Sequence, residues 1–196
     1  CYISDYVAEQ DNMNEHKSVD DWILKVAKES MTKEPDIIAV SLMFSTSHKF
    51  AKHVVTIYKK LWPKATIVVG GIHATNCSQY IIETMPEVDY VFRGESEVAM
   101  TKFVQNFIDG TPQNIQGVHG RNTGSDFSSL CEIPQDLNEL PNPDYRLTKF
   151  EDYFAASKLF KRYDGNDSGI YEILGSRGCP FKCSFCSSHS SNDRDV

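Results

Sequence analysis

Three cysteines crowd into residues 179–186, at Cys179, Cys183 and Cys186. Thiolates are ligands of both zinc and iron–sulfur clusters, and an iron–sulfur cluster is usually held by four cysteines. A loop with three cysteines therefore predicts a cluster with one open iron, where a substrate or cofactor can bind. A zinc site is the alternative, because His189 could supply a fourth ligand.

The composition and the other three cysteines argue against several classes of protein. Cys1, Cys77 and Cys131 stand singly, which is unlike a disulfide framework and predicts a reducing, cytoplasmic location. The chain has 196 residues and a formal net charge of −7, which argues against non-specific binding of nucleic acid. No apolar run approaches the length of a membrane span.

Apolar runs alternate with helical patterns over the first half of the sequence. Ser18 and Asp21 have the spacing of a helix cap. The later pattern predicts strands over residues 36–42, 65–69 and 88–92, each followed by a helix. Strands and helices that alternate through short connections indicate an open parallel α/β sheet of Rossmann-like type. The sequence also favours a strand within residues 1–7.

The alternation stops after Gly110. We expect a hairpin or edge strand within residues 111–135, a proline-rich connector, a short aromatic helix near residues 150–154 and a strand over residues 169–174. The predicted domains are residues 1–112 (the sheet), 113–168 (the connector) and 169–196.

The cysteine loop has the pattern C-x3-C-x-(aromatic)-C directly after the strand predicted over residues 169–174, with Phe185 at the aromatic position. It resembles the cluster loop of the radical S-adenosylmethionine superfamily, which follows the first strand of a (β/α) barrel. The resemblance implies that Cys179, Cys183 and Cys186 hold a [4Fe–4S] cluster. It also implies that S-adenosylmethionine binds the open iron with Phe185 near its adenine. An electron donor such as flavodoxin or ferredoxin would then drive reductive cleavage to a 5′-deoxyadenosyl radical.

Hydroxyl-bearing residues and glycines follow the three predicted strands. An α/β domain ahead of such a loop resembles the cobalamin-binding domain of cobalamin-dependent radical enzymes, in which a hydroxyl-rich loop and a Gly-Gly turn embrace the nucleotide tail. The resemblance implies cobalamin contacts from seven residues: Ser41, Ser45, Thr46, Gly70, Gly71, His73 and Glu95. The D-x-H-x-x-G motif of many cobalamin proteins is not found in the sequence. We expect Gly71→Val to abolish cobalamin uptake while the domain stays folded.

A complete (β/α) barrel needs roughly 200 residues, whereas only residues 187–196 follow the last cysteine. We therefore expect the N-terminal part of a cobalamin-dependent radical S-adenosylmethionine enzyme, with an incomplete barrel and no activity on its own. The resemblance implies radical methylation or oxidative cyclisation of a small organic substrate, as by the anaerobic magnesium-protoporphyrin monomethyl ester cyclases. Two alternatives stay open: a module that binds cobalamin or a nucleotide-bearing ligand without catalysis, and a structural α/β domain with a zinc loop.

Overall fold

The computed structural model describes residues 18–31, 33–121, 127–147, 174–181 and 183–186. The chain divides into two compact units. One comprises residues 1–34 and 141–176, and the other comprises residues 35–140 and 177–196. The second unit therefore contains both the sheet and the cysteine loop.

In the first unit, helix α1 spans Val19–Ser30. The Ser18 hydroxyl oxygen accepts a hydrogen bond of 3.1 Å from the backbone N–H of Asp21, so the predicted cap is confirmed. One side of α1 is buried at helical spacing, through Trp22, Ile23, Val26 and Ala27.

The second unit is built on a four-stranded sheet. Its strands are β1 (Ile37–Ser41), β2 (Thr66–Gly70), β3 (Tyr90–Phe92) and β4 (Val118–Gly120), and they lie side by side in that order. The first three strands are parallel, and β4 pairs with β3 in the antiparallel direction. The predicted parallel α/β sheet and edge strand are thus confirmed. The described strands follow sequence order, so the reversal of strand order that marks many ligand sites is not found among them.

Helices connect the parallel strands. A 3₁₀ turn (Ser45–Ser47) leads into α2 (His48–Leu61), and α3 (Ile72–Asn76) and α4 (Ser78–Thr84) follow β2. Helix α5 spans Glu97–Asp109 and ends on Gly110 in the left-handed conformation. The sequence did not predict α3, because five residues are too short to establish a helical period.

The core lies on both faces of the sheet. Alternate residues of β2 point to opposite faces, and Ile67, Val68 and Val69 are all buried. On one face, Phe103 of α5 packs edge-on against Phe92, with ring centroids 5.4 Å apart. This burial on both faces explains why the sequence of β2 is a continuous apolar run rather than an alternating one.

Several predicted elements lie outside the described residues. These are the strand within residues 1–7, the helix near residues 150–154 and all but the last residue of the strand over residues 169–174. Leu174, which is described, is exposed and not part of a strand. The described residues do not show a (β/α) barrel, and no helix among them is long and apolar enough to cross a membrane.

Candidate functional site

The carboxyl ends of β1, β2 and β3 meet at one edge of the sheet. Ser41 lies opposite Gly70 in the register of β1 and β2, and the Leu42 N–H donates to the Gly70 carbonyl at 2.7 Å. Residues 41–46, 70–73 and 93–95 therefore form one surface, which we call the rim. This juxtaposition was predicted from the parallel strands and is confirmed.

The Gly-Gly turn at the rim is shaped by the backbone of the neighbouring strand. Gly71 has φ +97°, and a Cβ atom there would lie 2.7 Å from the Leu42 carbonyl oxygen. That oxygen accepts a hydrogen bond from the His73 N–H, so it cannot easily move away. Gly71 is thus required by the fold itself. This contradicts the premise of the Gly71→Val expectation, because a side chain at this position would meet the protein's own backbone rather than cobalamin.

Gly70 is different, because the structure leaves space beside it. A Cβ atom at Gly70 would have only the Phe92 Cβ within 4 Å, at 3.8 Å, which is an ordinary van der Waals contact. The absence of a side chain at Gly70 therefore leaves room at the strand end that the protein does not itself fill.

A chain of polar side chains links the hydroxyl-rich turn to the helices behind it. His73 is buried, and its Nδ1 and Nε2 lie 2.8 Å from Ser45 Oγ and 3.1 Å from His48 Nδ1. His48 Nε2 continues the chain to Thr84 Oγ1 at 3.3 Å. Both ring nitrogens of His73 thus have partners within the protein. Sequence reasoning missed His48 and Thr84, although His48 directly follows the predicted hydroxyl-rich turn.

The hydrogen bonds of Thr84 determine which atoms donate and which accept along this chain of side chains. Thr84 donates its hydroxyl proton to the Tyr80 carbonyl, so it must accept from His48 Nε2. His48 Nδ1 then accepts from His73 Nε2, whose Nδ1 accepts from the Ser45 hydroxyl. Both histidines are neutral in this arrangement. In agreement, burial lowers the pKa of both rings from the usual value, and for His48 the nearby His73 and Lys52 lower the pKa further.

The rim also presents exposed apolar side chains beside hydroxyl groups. Met43, Phe44 and Ile72 are exposed although they are large and hydrophobic. Ser41 and Thr46 are exposed beside them. An apolar surface next to hydroxyl donors suits a ligand that combines a large ring with a polar tail. The rim residues therefore fit a cobalamin molecule.

Thr75 and Arg93 tie the two glycine turns of the rim together. The Thr75 hydroxyl accepts from the Gly94 N–H at 2.9 Å and donates to the Gly71 carbonyl at 3.0 Å. Arg93 donates from Nε to the Thr75 carbonyl and from Nη1 to the Phe127 carbonyl. The Arg93 guanidinium thus braces the backbone.

The three predicted ligand cysteines lie on one segment of the second unit. Cys179 is half-buried, Cys183 and Cys186 are exposed, and the Cys186 N–H donates to the Cys183 carbonyl at 3.0 Å. Among the described residues, no group of three or more His, Cys, Asp or Glu side chains is arranged to hold a metal ion. Three accessible thiols on one loop nevertheless match, as a donor set, the chemistry of an iron–sulfur cluster.

Phe185 of the cysteine loop is exposed, whereas the thiol of Cys131 is buried. Phe185, the predicted neighbour of S-adenosylmethionine, is 92% exposed. Cys131 is buried in the core, and burial raises the pKa of its thiol to about 11. A thiol that resists ionisation is a poor metal ligand, so Cys131 is a structural residue.

Glu95, a predicted cobalamin contact, is bound by a residue that sequence reasoning missed. Arg177 Nη1 lies 2.6 Å from Glu95 Oε2 and 2.7 Å from Glu97 Oε1. The hydrogen bond to Glu95, followed by that to Glu97, holds the pKa of the Arg177 guanidinium above its ordinary value. The sequence offered one signal, namely a cation two residues before Cys179, but not its partner.

Comparison with known proteins identifies the domain that forms this rim. Residues 7–104 match the family described as the B12 binding domain, and B12 is cobalamin. The chain belongs to the B12-binding domain family. The match contains β1, β2, β3 and the rim, which agrees with the cobalamin-binding resemblance predicted from the sequence.

Curated relatives extend the similarity over most of the chain. An uncharacterised methyltransferase of Pyrococcus horikoshii is 30% identical over 83% of this chain and 34% of its own length. The anaerobic magnesium-protoporphyrin IX monomethyl ester cyclase of Cereibacter sphaeroides is 29% identical over 83% of the chain and 26% of its own length. The cobalamin-dependent radical SAM methyltransferase TokK of Streptomyces tokunonensis is 26% identical over 78% of the chain and 22% of its own length.

These relatives confirm the predicted resemblance to the cobalamin-binding radical S-adenosylmethionine enzymes. The chain spans about a third or less of the length of the relatives quoted.

Proposed function

We propose that the chain is the cobalamin-binding and cluster-binding part of a radical S-adenosylmethionine enzyme. When bound, cobalamin would supply a reactive cobalt centre, and the cluster would supply the electron that cleaves S-adenosylmethionine. The chain's own residues bind and orient these groups. The names of the relatives quoted above favour methylation or cyclisation of a small organic substrate.

The rim is the observation that carries the cobalamin part of this proposal. It combines exposed apolar side chains (Met43, Phe44 and Ile72) with the open position beside Gly70. The nucleotide tail of the cofactor would pass Gly70, and the exposed hydroxyls of Ser41 and Thr46 would donate to its polar atoms. Because both nitrogens of His73 are engaged by Ser45 and His48, we propose that His73 orients the Ser45 hydroxyl rather than ligating cobalt.

The donor set of the cysteine loop supports the second part of the proposal. Cys179, Cys183 and Cys186 would hold a [4Fe–4S] cluster, and Phe185 would pack against the adenine of S-adenosylmethionine. The exposure of Phe185 is consistent with such a partner. The free thiols of Cys77 and Cys131 favour a reducing location such as the cytoplasm, where a flavodoxin or ferredoxin could donate the electron.

Cobalamin binding can be tested by titrating the full chain with hydroxocobalamin and measuring the corrin absorbance retained after gel filtration. We expect the wild type to retain cobalamin. Gly70→Val should fill the space at the strand end and weaken binding by about tenfold or more, the cost of overpacking a fitted site. Gly70→Ala should give a smaller effect in the same direction.

Gly110→Ala is the matched control, because Gly110 caps the far end of α5, away from the rim. It should bind cobalamin as the wild type does. A wild type that retains no cobalamin overturns the proposed function. A wild type that binds, with both Gly70 variants binding equally well and unfolding at the same urea concentration, shows that cobalamin does not occupy this rim.

A further inference from the structure

One cation joins the cysteine loop to the end of β3. The same Arg177 nitrogen contacts the carboxylates of Glu95, in the β3–α5 connection, and Glu97, in the first turn of α5. The Glu95 side chain is only 11% exposed and that of Arg177 is 27% exposed, so this is a largely shielded contact. By comparison, both side chains of the Lys102–Glu132 pair are more than half exposed.

The charges of the three side chains explain why Arg177 contacts both carboxylates. Glu95 and Glu97 carry like charges at short range and repel each other unless a cation lies between them. Arg177 supplies that cation to both carboxylates at once. Shielding from solvent strengthens the interaction relative to a surface pair, and removing Arg177 would take away the one cation that these two partly buried carboxylates share.

The location of the contact gives it a consequence for the cysteine loop. Arg177 lies two residues before Cys179, and Glu95 belongs to the rim. The ion pair therefore fixes the first residues of the loop to the same sheet edge that carries the Gly-Gly turn.

We propose that Arg177 is a positioning residue that fastens the cysteine loop to the rim through Glu95 and Glu97, and so sets the separation between the cluster and cobalamin. This inference rests on the proposed function, because it assumes that the rim and the loop hold those two groups. Glu95 serves the loop in this arrangement and does not contact cobalamin directly.

The first test uses the full chain without cofactors. Hydrogen exchange measured by mass spectrometry should show faster exchange of the peptide that contains Cys183 and Cys186 in Arg177→Ala, by about tenfold, because the loop opens more often. Exchange in β2 should be unchanged. Lys102→Ala, which removes the exposed ion pair, should leave exchange of this peptide at the wild-type rate.

The second test measures the separation itself. In chain loaded with cob(II)alamin and reconstituted with iron and sulfide, reduction of the cluster should raise the microwave power needed to saturate the cob(II)alamin electron paramagnetic resonance signal. The effect depends steeply on the distance between the two spins. Arg177→Ala should lose most of this rise while it retains both cobalamin and iron, whereas Arg177→Lys should keep part of it.

Exchanging the charges of Arg177 and Glu95 tests whether the contact depends on electrostatic attraction or only on the size of the side chains. The double variant Arg177→Glu with Glu95→Arg again places one cation between two carboxylates, and it should recover both slow exchange and the saturation effect. Wild-type exchange and saturation in Arg177→Ala would overturn this inference and leave the proposed function standing. Failure of the wild type itself to take up iron, with Cys179→Ala indistinguishable from it, would instead count against the proposed function.

Discussion

The rim and the cysteine loop belong to the same compact unit but are built differently. At the rim, the backbone of Leu42 is hydrogen-bonded to Gly70 and to His73, and Thr75 joins the two glycine turns. The described part of the cysteine loop contains a single short turn, and Arg177 connects it to the sheet through side chains. A change at the rim should therefore act on the whole fold, whereas a change in the segment around the loop should act locally.

Gly71→Ala gives the largest effect expected from this difference. The new Cβ would meet the Leu42 carbonyl at 2.7 Å in a backbone conformation that only glycine adopts easily. We expect the free energy of unfolding, measured with urea, to fall by about 3 kcal/mol.

The control is Gly175→Ala, in the segment that leads to the cysteine loop. A Cβ atom there would have nothing within 4 Å, so the change in unfolding free energy should stay within about 0.5 kcal/mol. Equal effects of the two substitutions would mean that the contact with the Leu42 carbonyl does not set the cost at Gly71.

Lowering the pH is expected to cause an intermediate loss of folding stability, through His48 and His73. The folded-state pKa values of His48 and His73 lie below the unfolded value of 6.5, so the unfolded chain binds more protons. The stability that these rings contribute is complete above pH 6.5 and is lost as the pH falls toward their folded-state pKa values. The slope is at most about 1.4 kcal/mol per pH unit for each histidine.

Urea titrations at pH values of about 7.5, 6.5 and 5.5 should reveal this loss, since these values bracket the usual pKa of histidine, about 6.5. The double variant His48→Gln with His73→Gln lacks both groups, and its stability should depend less on pH in this range. A wild type and a double variant with parallel pH profiles would rule out the neutral pair as the cause.

The smallest loss of stability, expected at Gly110, serves as the reference for the loss at Gly71. Gly110 has φ +66°, but a Cβ atom added there would have nothing within 4 Å, so Gly110→Ala measures the backbone penalty alone. We expect a loss of about 1 kcal/mol in the same urea assay. Gly110→Asn should lose less, because asparagine tolerates the left-handed region. A loss as large as that of Gly71→Ala would mean that the contact with Leu42 adds nothing.

Much of the fold could be predicted because its signals are local. The apolar runs that became β2 and β3 contribute to the core on both faces of the sheet, and the Ser18 cap acts over three residues. Parallel strands also bring their carboxyl ends to one edge, so the rim followed from the parallel arrangement. Helix α3 was missed because it contains little more than one turn.

The site was predicted only in part, because sequence signals are local and the missing contacts join distant parts of the chain. Residue types and spacing identified the Gly-Gly turn, the hydroxyl-rich loop and the three cysteines as sites of chemistry. They assigned Gly71 to ligand space, however, whereas the carbonyl of Leu42, brought in from the neighbouring strand, is what excludes a side chain there. Sequence spacing contains no information about such a contact between strands.

The sequence by itself determined the parallel α/β domain, the rim at its carboxyl edge and the spacing of the thiols, because these depend on hydrophobic period and on residue chemistry. Only the tertiary structure decided which side chains meet. Arg177 and Glu95 are 82 residues apart in sequence, and His48 and His73 are 25 apart. Such pairs form because the fold places them within hydrogen-bond distance and shields them from water, and no local pattern encodes that distance.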